Sequence, residues 1–197
     1  MLVKDKFLGK INFLILLISL CFSHKLYAEN INQQIINYNK SLNNTSAHFI
    51  QTNQNNVQEG LIYFGDERIK IEYQSPEKLT IILSENKGMF TNHELKETNF
   101  FATKKSYVKF FFDILHKEKY TEKTITKKSN NEVIISDLIK LDDVVYKINI
   151  VYENEPLKLR KLEILSDDEN IQMGFFNHSL EKTFNKKKFS MIDPYLN

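Results

Sequence analysis

The 197-residue chain has one cysteine, five glycines and no tryptophan. The single thiol, Cys21, lies in an apolar stretch near the N-terminus, so no disulfide can form within the chain. None of the glycines stands in G-x-G-x-x-G or phosphate-loop spacing, which removes local support for nucleotide binding. There is no G-x-S-x-G nucleophile elbow. An excess of one charge is missing too, since 27 Lys+Arg stand against 25 Asp+Glu for a net +2. That balance offers no basic surface of the kind nucleic-acid binding needs. His48, His93, His116 and His178 do not fall at metal-ligand spacing, and no metal or cofactor is expected. Asp142-Asp143 and Asp167-Asp168 lie where turns are expected, and acidic residues serve turns through local hydrogen bonds. With no nucleophile constellation in view, the chain is not expected to be an enzyme, and a hydrolase is the weakest of the alternatives.

What is present begins with Met1 to Ala28. Lys4, Lys6 and Lys10 flank or precede the almost unbroken apolar run Ile11–Phe22, interrupted only by Asn12 and Ser19, and Leu26-Tyr27-Ala28 closes on a small residue. This is the pattern of a cleaved secretory signal. A bilayer core needs about 20 apolar residues, so the run is short for a permanent span. Leu20 is too large to precede a lipidated cysteine at Cys21, and the thiol is expected to leave with the signal. The remaining 29–197 would then hold 23 basic and 24 acidic residues, a net charge of −1, and no cysteine, as suits an oxidising export compartment. The expected localisation is the periplasm.

At 197 residues, 42% of them apolar, the chain can build one domain with a proper core. Ile31, Ile35, Tyr38 and Leu42 share one helical face. From Ser46 the period changes to two, through Ala47, Phe49 and Gln51, then Leu61 and Tyr63, then Ile69, Ile71 and Tyr73, then Leu79, Ile81 and Leu83. A Ser-capped apolar helix interrupts the strands, with Val108, Phe111, Phe112 and Leu115 at i, i+3, i+4 and i+7. Alternation resumes through Val144, Tyr146, Ile148, Ile150 and Tyr152, and a phase slip between Leu159 and Leu162 predicts a bulge at Arg160-Lys161. Nine to eleven strands in a large, curved antiparallel sheet with a few helices are predicted. The run Lys186-Lys187-Lys188 offers a patch for anionic headgroups, although such runs usually form a solvated face.

Several of these pieces come in a telling order. The N-terminal helix is followed by Phe49-Ile50-Gln51, then Val57-Gln58-Glu59-Gly60, an aromatic-rich strand, "KIEYQSP" from Lys70 to Pro76, and Ile81-Ile82-Leu83. Near the C-terminus come "PLKLRKLEILSDDENIQMGFFN" and Phe189 ahead of Asp193-Pro194. Over essentially all of 29–197 this resembles the LolA family, the periplasmic carriers of bacterial outer-membrane lipoproteins.

The resemblance implies an incomplete, half-open β-barrel closed by a few α-helices around an apolar cavity for lipoprotein acyl chains. Burial of a methylene is worth about 0.8 kcal/mol, so a lipid anchor crosses water only if shielded. By the resemblance the cavity would be lined by Phe49, Leu61, Tyr63, Ile69, Ile71, Tyr73, Ile81, Phe90, Met173 and Phe175. Val108, Phe111, Phe112 and Leu115 would form the lid. Family members often carry Arg-Pro-Gly after the first long strand, and its Arg helps hold the lid shut. Here Gly65-Asp66-Glu67 stands in that place, leaving Arg68 or Lys70 as the candidate latch, and the family's frequent Trp is missing. The implied partners are triacylated lipoproteins, an inner-membrane ABC-type lipoprotein-releasing transporter, and a LolB-like acceptor or the outer membrane itself. A monomer is expected, with no nucleic acid.

Three alternatives stay open at this point. The same side chains would also serve simply as core between sheet and helices. The fold class also includes the LolB-like acceptor, itself a lipoprotein, and periplasmic regulatory modules that sense a protein or lipoprotein without ferrying it.

Overall fold

The computed structural model describes residues 30–54, 56–106, 108–117, 125–128, 131–181 and 183–196. The expected signal, residues 1–28, lies outside the described residues. After helix α1 (Ile31–Ser41) come six strands, β1 (Thr45–Asn53), β2 (Asn56–Gly65), β3 (Arg68–Ser75), β4 (Leu79–Leu83), β5 (Gly88–Asn92) and β6 (Glu97–Phe101). A 3-10 turn at Thr103–Lys105 leads into helix α2 (Val108–His116). Five more strands follow, β7 (Ile125–Lys128), β8 (Glu132–Leu141), β9 (Val144–Glu153), β10 (Lys158–Leu165) and β11 (Asn170–Leu180).

All eleven strands belong to one sheet, ordered β6-β5-β4-β3-β2-β1-β11-β10-β9-β8-β7, with antiparallel neighbours throughout. Two meanders, β1–β6 and β7–β11, are therefore joined where the first strand pairs with the last. The edge strands β6 and β7 do not pair with each other, so the sheet is not closed. This is a mainly β architecture, an open antiparallel sheet with two α-helices among the described residues, as the residue pattern (a large antiparallel sheet with a few helices) and the resemblance (a half-open barrel) led one to expect.

Register decides which side chains meet. Phe49 stands opposite Gly60 on one side and Phe175 on the other. Gly60 in turn faces Tyr73, Ile62 faces Ile71, and Phe64 faces Ile69. Ile71 then faces Ile81, and beyond β11 Met173 faces Leu162, which faces Ile150. Opposed residues share a face, so these apolar side chains form one continuous inner surface. Gly60 is required within it: a Cβ there would sit 2.0 Å from the Glu72 carbonyl oxygen and 2.9 Å from the Phe49 ring. The bare backbone lets Phe49 and Tyr73 meet edge to face, with centroids 5.0 Å apart.

Local chemistry fixes the remaining geometry. Asp142 and Asp143 both take positive φ, 45° and 70°, in the two-residue loop between β8 and β9. This is the hairpin arrangement that Asp tolerates, and it accounts for the acidic pair as turn residues. The β9–β10 register slips between Leu159 and Lys161, placing the predicted bulge at Arg160. The backbone N–H of Leu159, beside this bulge, donates to the Tyr38 hydroxyl at 2.9 Å and so ties α1 to the sheet.

The segment after β11 folds onto the outer face. Arg68 Nη1 donates to the Phe189 carbonyl at 2.5 Å, Thr98 Oγ1 donates to Asp193 Oδ1 at 3.0 Å, and the His93 ring and the Tyr195 hydroxyl share a hydrogen bond of 2.8 Å. Lys188 does not join a solvated basic patch, because its ammonium sits 3.5 Å from the centroid of the Tyr63 ring.

Candidate functional site

The inner face is filled at one end only. Where α1 and α2 cover it, Phe49, Ile62 and Ile69 are fully buried, and Phe64 and Phe175 are nearly so, while Leu83 and Phe111, also buried, stand where this packing meets the unfilled part. The Phe111 and Phe175 rings lie parallel with centroids 6.2 Å apart. Toward the hairpins β1–β2, β3–β4, β8–β9 and β10–β11 the helices run out, and Leu79, Ile81, Ile139, Tyr146 and Ile171 on the same face are only partly buried.

The uncovered half is a cavity of about 460 Å³. The β1–β6 meander supplies Gln51, Ile71, Tyr73, Ile81, Leu83 and Phe101, and the other meander supplies Leu141, Tyr146, Leu162, Ile164, Ile171 and Met173. Strands at opposite ends of the sheet order thus reach one space, which requires the sheet to curl around it. Ser106, Val108 and Phe111 roof it from the start of α2, and Asp142 and Val144 bring the β8–β9 turn to its rim.

The polar groups in the wall are satisfied by one another. The Tyr73 hydroxyl donates to Gln51 Oε1 at 2.9 Å, and Gln51 Nε2 donates to Gln58 Oε1 at 2.9 Å. No Lys, Arg or His side chain lines the space among the described residues, and Asp142 at the rim is its one charged lining group. Such a wall rewards apolar contact. Among the described residues there is also no group of three His, Cys, Asp or Glu able to hold a metal. No helix among them is long and apolar enough to cross a membrane.

The roofing helix is short and anchored unevenly. Its start is capped by Ser106, whose Oγ accepts from the Val108 N–H at 3.2 Å. Its far end is tied more firmly. Asn39 Nδ2, buried on α1, donates to the Ile114 carbonyl at 2.9 Å, and Asn39 Oδ1 accepts from the fully buried Tyr152 hydroxyl at 3.1 Å. Burial pushes the Tyr152 phenol well above its usual range, so it remains a neutral donor. The buried Asp113 carboxylate pairs with Lys109 and with Lys117, and Lys117 also reaches Glu85 in the β4–β5 turn. The hydrogen bond to Lys117 holds the Glu85 carboxyl below its ordinary value and raises the Lys117 ammonium.

The expected cavity residues divide into three groups. Ile71, Tyr73, Ile81 and Met173 line the space from the sheet, and Val108 and Phe111 line it from the helix. Phe49, Ile69, Phe175, Phe112 and Leu115 belong to the packed end beneath and around the helices, and Phe90 stands on the inner face of β5 outside the cavity wall. Leu61 and Tyr63 face the other way. They stand opposite Glu72 and Lys70 on the outer surface, and Tyr63 packs edge to face on Phe184. The latch assignment is corrected as well. Arg68 holds the C-terminal segment and Lys70 pairs with Glu72 at 2.5 Å, so the helix is secured through Asn39 and Lys117 instead. Asn39 had a sequence signal, a polar residue four positions after Ile35 on the apolar helical face. Leu162, Ile164 and Ile171 carried only ordinary strand alternation.

No protein-family model matches the sequence, and no curated protein matches it. Among solved structures, similarity is found to an uncharacterized conserved protein from Thermus thermophilus, at 7% identity and TM-score 0.47, covering 81% of this chain and 93% of that one. MucB, solved in complex with MucA(peri), aligns at 8% identity and TM-score 0.44 over 81% of this chain and 58% of its own. LprF from Mycobacterium bovis aligns at 13% identity and TM-score 0.35 over 79% and 96%. Likeness at this level carries no weight for function, which has to be read from the chain's own geometry.

Proposed function

We propose that this protein is a periplasmic carrier that shields lipoprotein acyl chains in the cavity and delivers them from an inner-membrane ABC-type transporter to an outer-membrane acceptor or to the outer membrane itself. The observation that carries the proposal is the half-filled inner face: a curled apolar sheet whose helices pack one end and leave about 460 Å³ at the other. A sheet selected only for stability would fill that volume, because interiors pack to crystal-like density. The LolA-like order of motifs in the sequence supports the same reading, as does the export signal expected at residues 1–28. Transfer would work through relative affinity: the start of α2 lifts, a chain enters, and it leaves to a site that holds it better. No bond is made or broken on the protein.

The test adds purified protein to spheroplasts synthesising a labelled lipoprotein and separates the supernatant by size exclusion. A soluble complex, lost when Ile71→Asp places a carboxylate in the cavity wall, is the expected result. If the folded protein leaves the lipoprotein in the membrane, the carrier proposal fails. The regulatory binding module of the same fold would then take its place.

A further inference from the structure

The two edges of the sheet differ in chemistry. β7 carries Lys127 and Lys128, the kind of charge that keeps an edge from pairing with another strand. β6, at the other edge, has its one charge at its first residue, Glu97. From Thr98 to Thr103 the chain reads Thr-Asn-Phe-Phe-Ala-Thr, with neither a charge nor a proline. Each β6 residue pairs with β5 on one side, from Glu97 opposite Asn92 to Phe101 opposite Gly88, and the strand ends the sheet on the other. Glu97, Asn99 and Phe100 are exposed, and Phe100 keeps 47% of its surface open to solvent. An edge of this kind is a template for a further strand.

The flanking charges select the strand that fits. Glu94 and Glu97 stand at the start of β6 with Lys96 between them. Lys104 stands past its end, and Lys87 reaches the same end, with its ammonium 4.1 Å from the centroid of the Phe100 ring. Glu85, the acid nearest these lysines, is engaged by Lys117. Antiparallel pairing of two copies of β6 sets the acidic start of each against the basic end of the other, so the complementarity is made twice.

Register follows from the same residues. Opposed residues share a face, so the copies would meet around a two-fold axis perpendicular to the sheet. Centring that axis on Asn99 pairs the whole strand: Glu97 opposite the partner's Phe101, Thr98 opposite the partner's Phe100, and Asn99 opposite the partner's Asn99. The two Phe100 residues then lie diagonal on the outer face, about 7–8 Å apart and within reach of aromatic contact. Moving the centre to Phe100 would instead set Lys96 of each copy against Lys104 of the other.

We propose that β6 is a self-association edge through which two copies of this chain join antiparallel about Asn99, continuing one sheet into the next. A five-residue overlap falls short of a standard interface of about 1,600 Å², so the dimer forms only as concentration rises, in place of the monomer expected from the sequence. This does not depend on what fills the cavity.

Sedimentation velocity of the purified protein from about 1 µM to about 1 mM should show the monomer giving way to a dimer. Phe100→Lys should hold it as a monomer. Glu94→Lys, in an exposed turn, should weaken the dimer about fivefold or more at an unchanged urea midpoint, and adding Lys104→Glu to it should restore association. In a chain carrying Cys21→Ser, Asn99→Cys should form an intermolecular disulfide under mild oxidation, and Phe100→Cys, whose thiols would stand diagonal, should do so far more slowly. A protein still monomeric at about 1 mM, or a dimer unchanged by both Phe100→Lys and Glu94→Lys, would overturn the proposal. Faster crosslinking through Phe100→Cys than through Asn99→Cys would overturn the centring on Asn99.

Discussion

Replacing Asn39 by Ala should destabilise the protein far more than loss of a surface amide would. The side chain is buried and serves two partners on different elements, donating to the Ile114 carbonyl at 2.9 Å and accepting from the Tyr152 hydroxyl at 3.1 Å. After truncation both partners stay buried, Tyr152 being wholly inaccessible. A buried polar group left without a partner costs about 1–3 kcal/mol, so two together cost roughly 2–6 kcal/mol. Urea unfolding followed by circular dichroism measures this as a lower midpoint at unchanged slope. Tyr152→Phe separates the two losses. Tyr152→Phe alone orphans the Asn39 Oδ1, and in the double variant neither that oxygen nor the orphaned hydroxyl remains, so the penalties should fall short of additivity by roughly 2–6 kcal/mol. Strict additivity, or an Asn39→Ala cost below about 1 kcal/mol, would show that this pair does not anchor the end of α2.

Three further outcomes are expected. Burial, reinforced by Glu72, pushes the Tyr63 phenol from 10.0 up to about 12, so the folded state holds that proton more tightly than the unfolded chain. Its contribution to stability is complete below pH 10 and lost as pH rises through about 12; urea titrations across that window should show the decline, and Tyr63→Phe should lessen it. Arg68→Ala should loosen the C-terminal segment, detected as faster proteolysis after β11, while leaving acyl-chain binding unchanged; a loss of binding would restore Arg68 as the latch. Ile171→Phe should fill part of the cavity, lowering the yield of soluble lipoprotein complex from spheroplasts while holding or raising the urea midpoint.

How far the sequence could be read depended on what each segment offered. Ile69, Ile71 and Tyr73 alternate with polar residues, so their common face was plain, and the structure sets all three on the inner surface. In Leu61-Ile62-Tyr63-Phe64 every position is apolar, and periodicity cannot say which pair points inward. That choice is made by the β2–β3 hairpin, whose pairing of Gly65 with Arg68 puts Phe64 opposite Ile69 and Ile62 opposite Ile71, sending Leu61 and Tyr63 outward. A one-residue change in that loop would have reversed the assignment. The helices were legible from their spacing and from Ser106, but what ties α2 down was not, because Asn39 and Ile114 are 75 residues apart. The cavity itself could not be read from side-chain type. Phe49 and Ile81 look equally core-like in sequence, yet one is sealed beneath the helices and the other faces unfilled space.

That unfilled space has an energetic consequence for what the protein does when empty. Sealed and dry, a cavity of about 460 Å³ would cost about 11 kcal/mol at the ~24 cal/mol per Å³ found for residual core voids. That is comparable with the whole folding free energy of a typical domain, about 5–15 kcal/mol. The empty protein must therefore admit water at this end of the sheet. Tight packing at the covered end and the ties through Asn39 and Lys117 let the fold leave its other end underfilled.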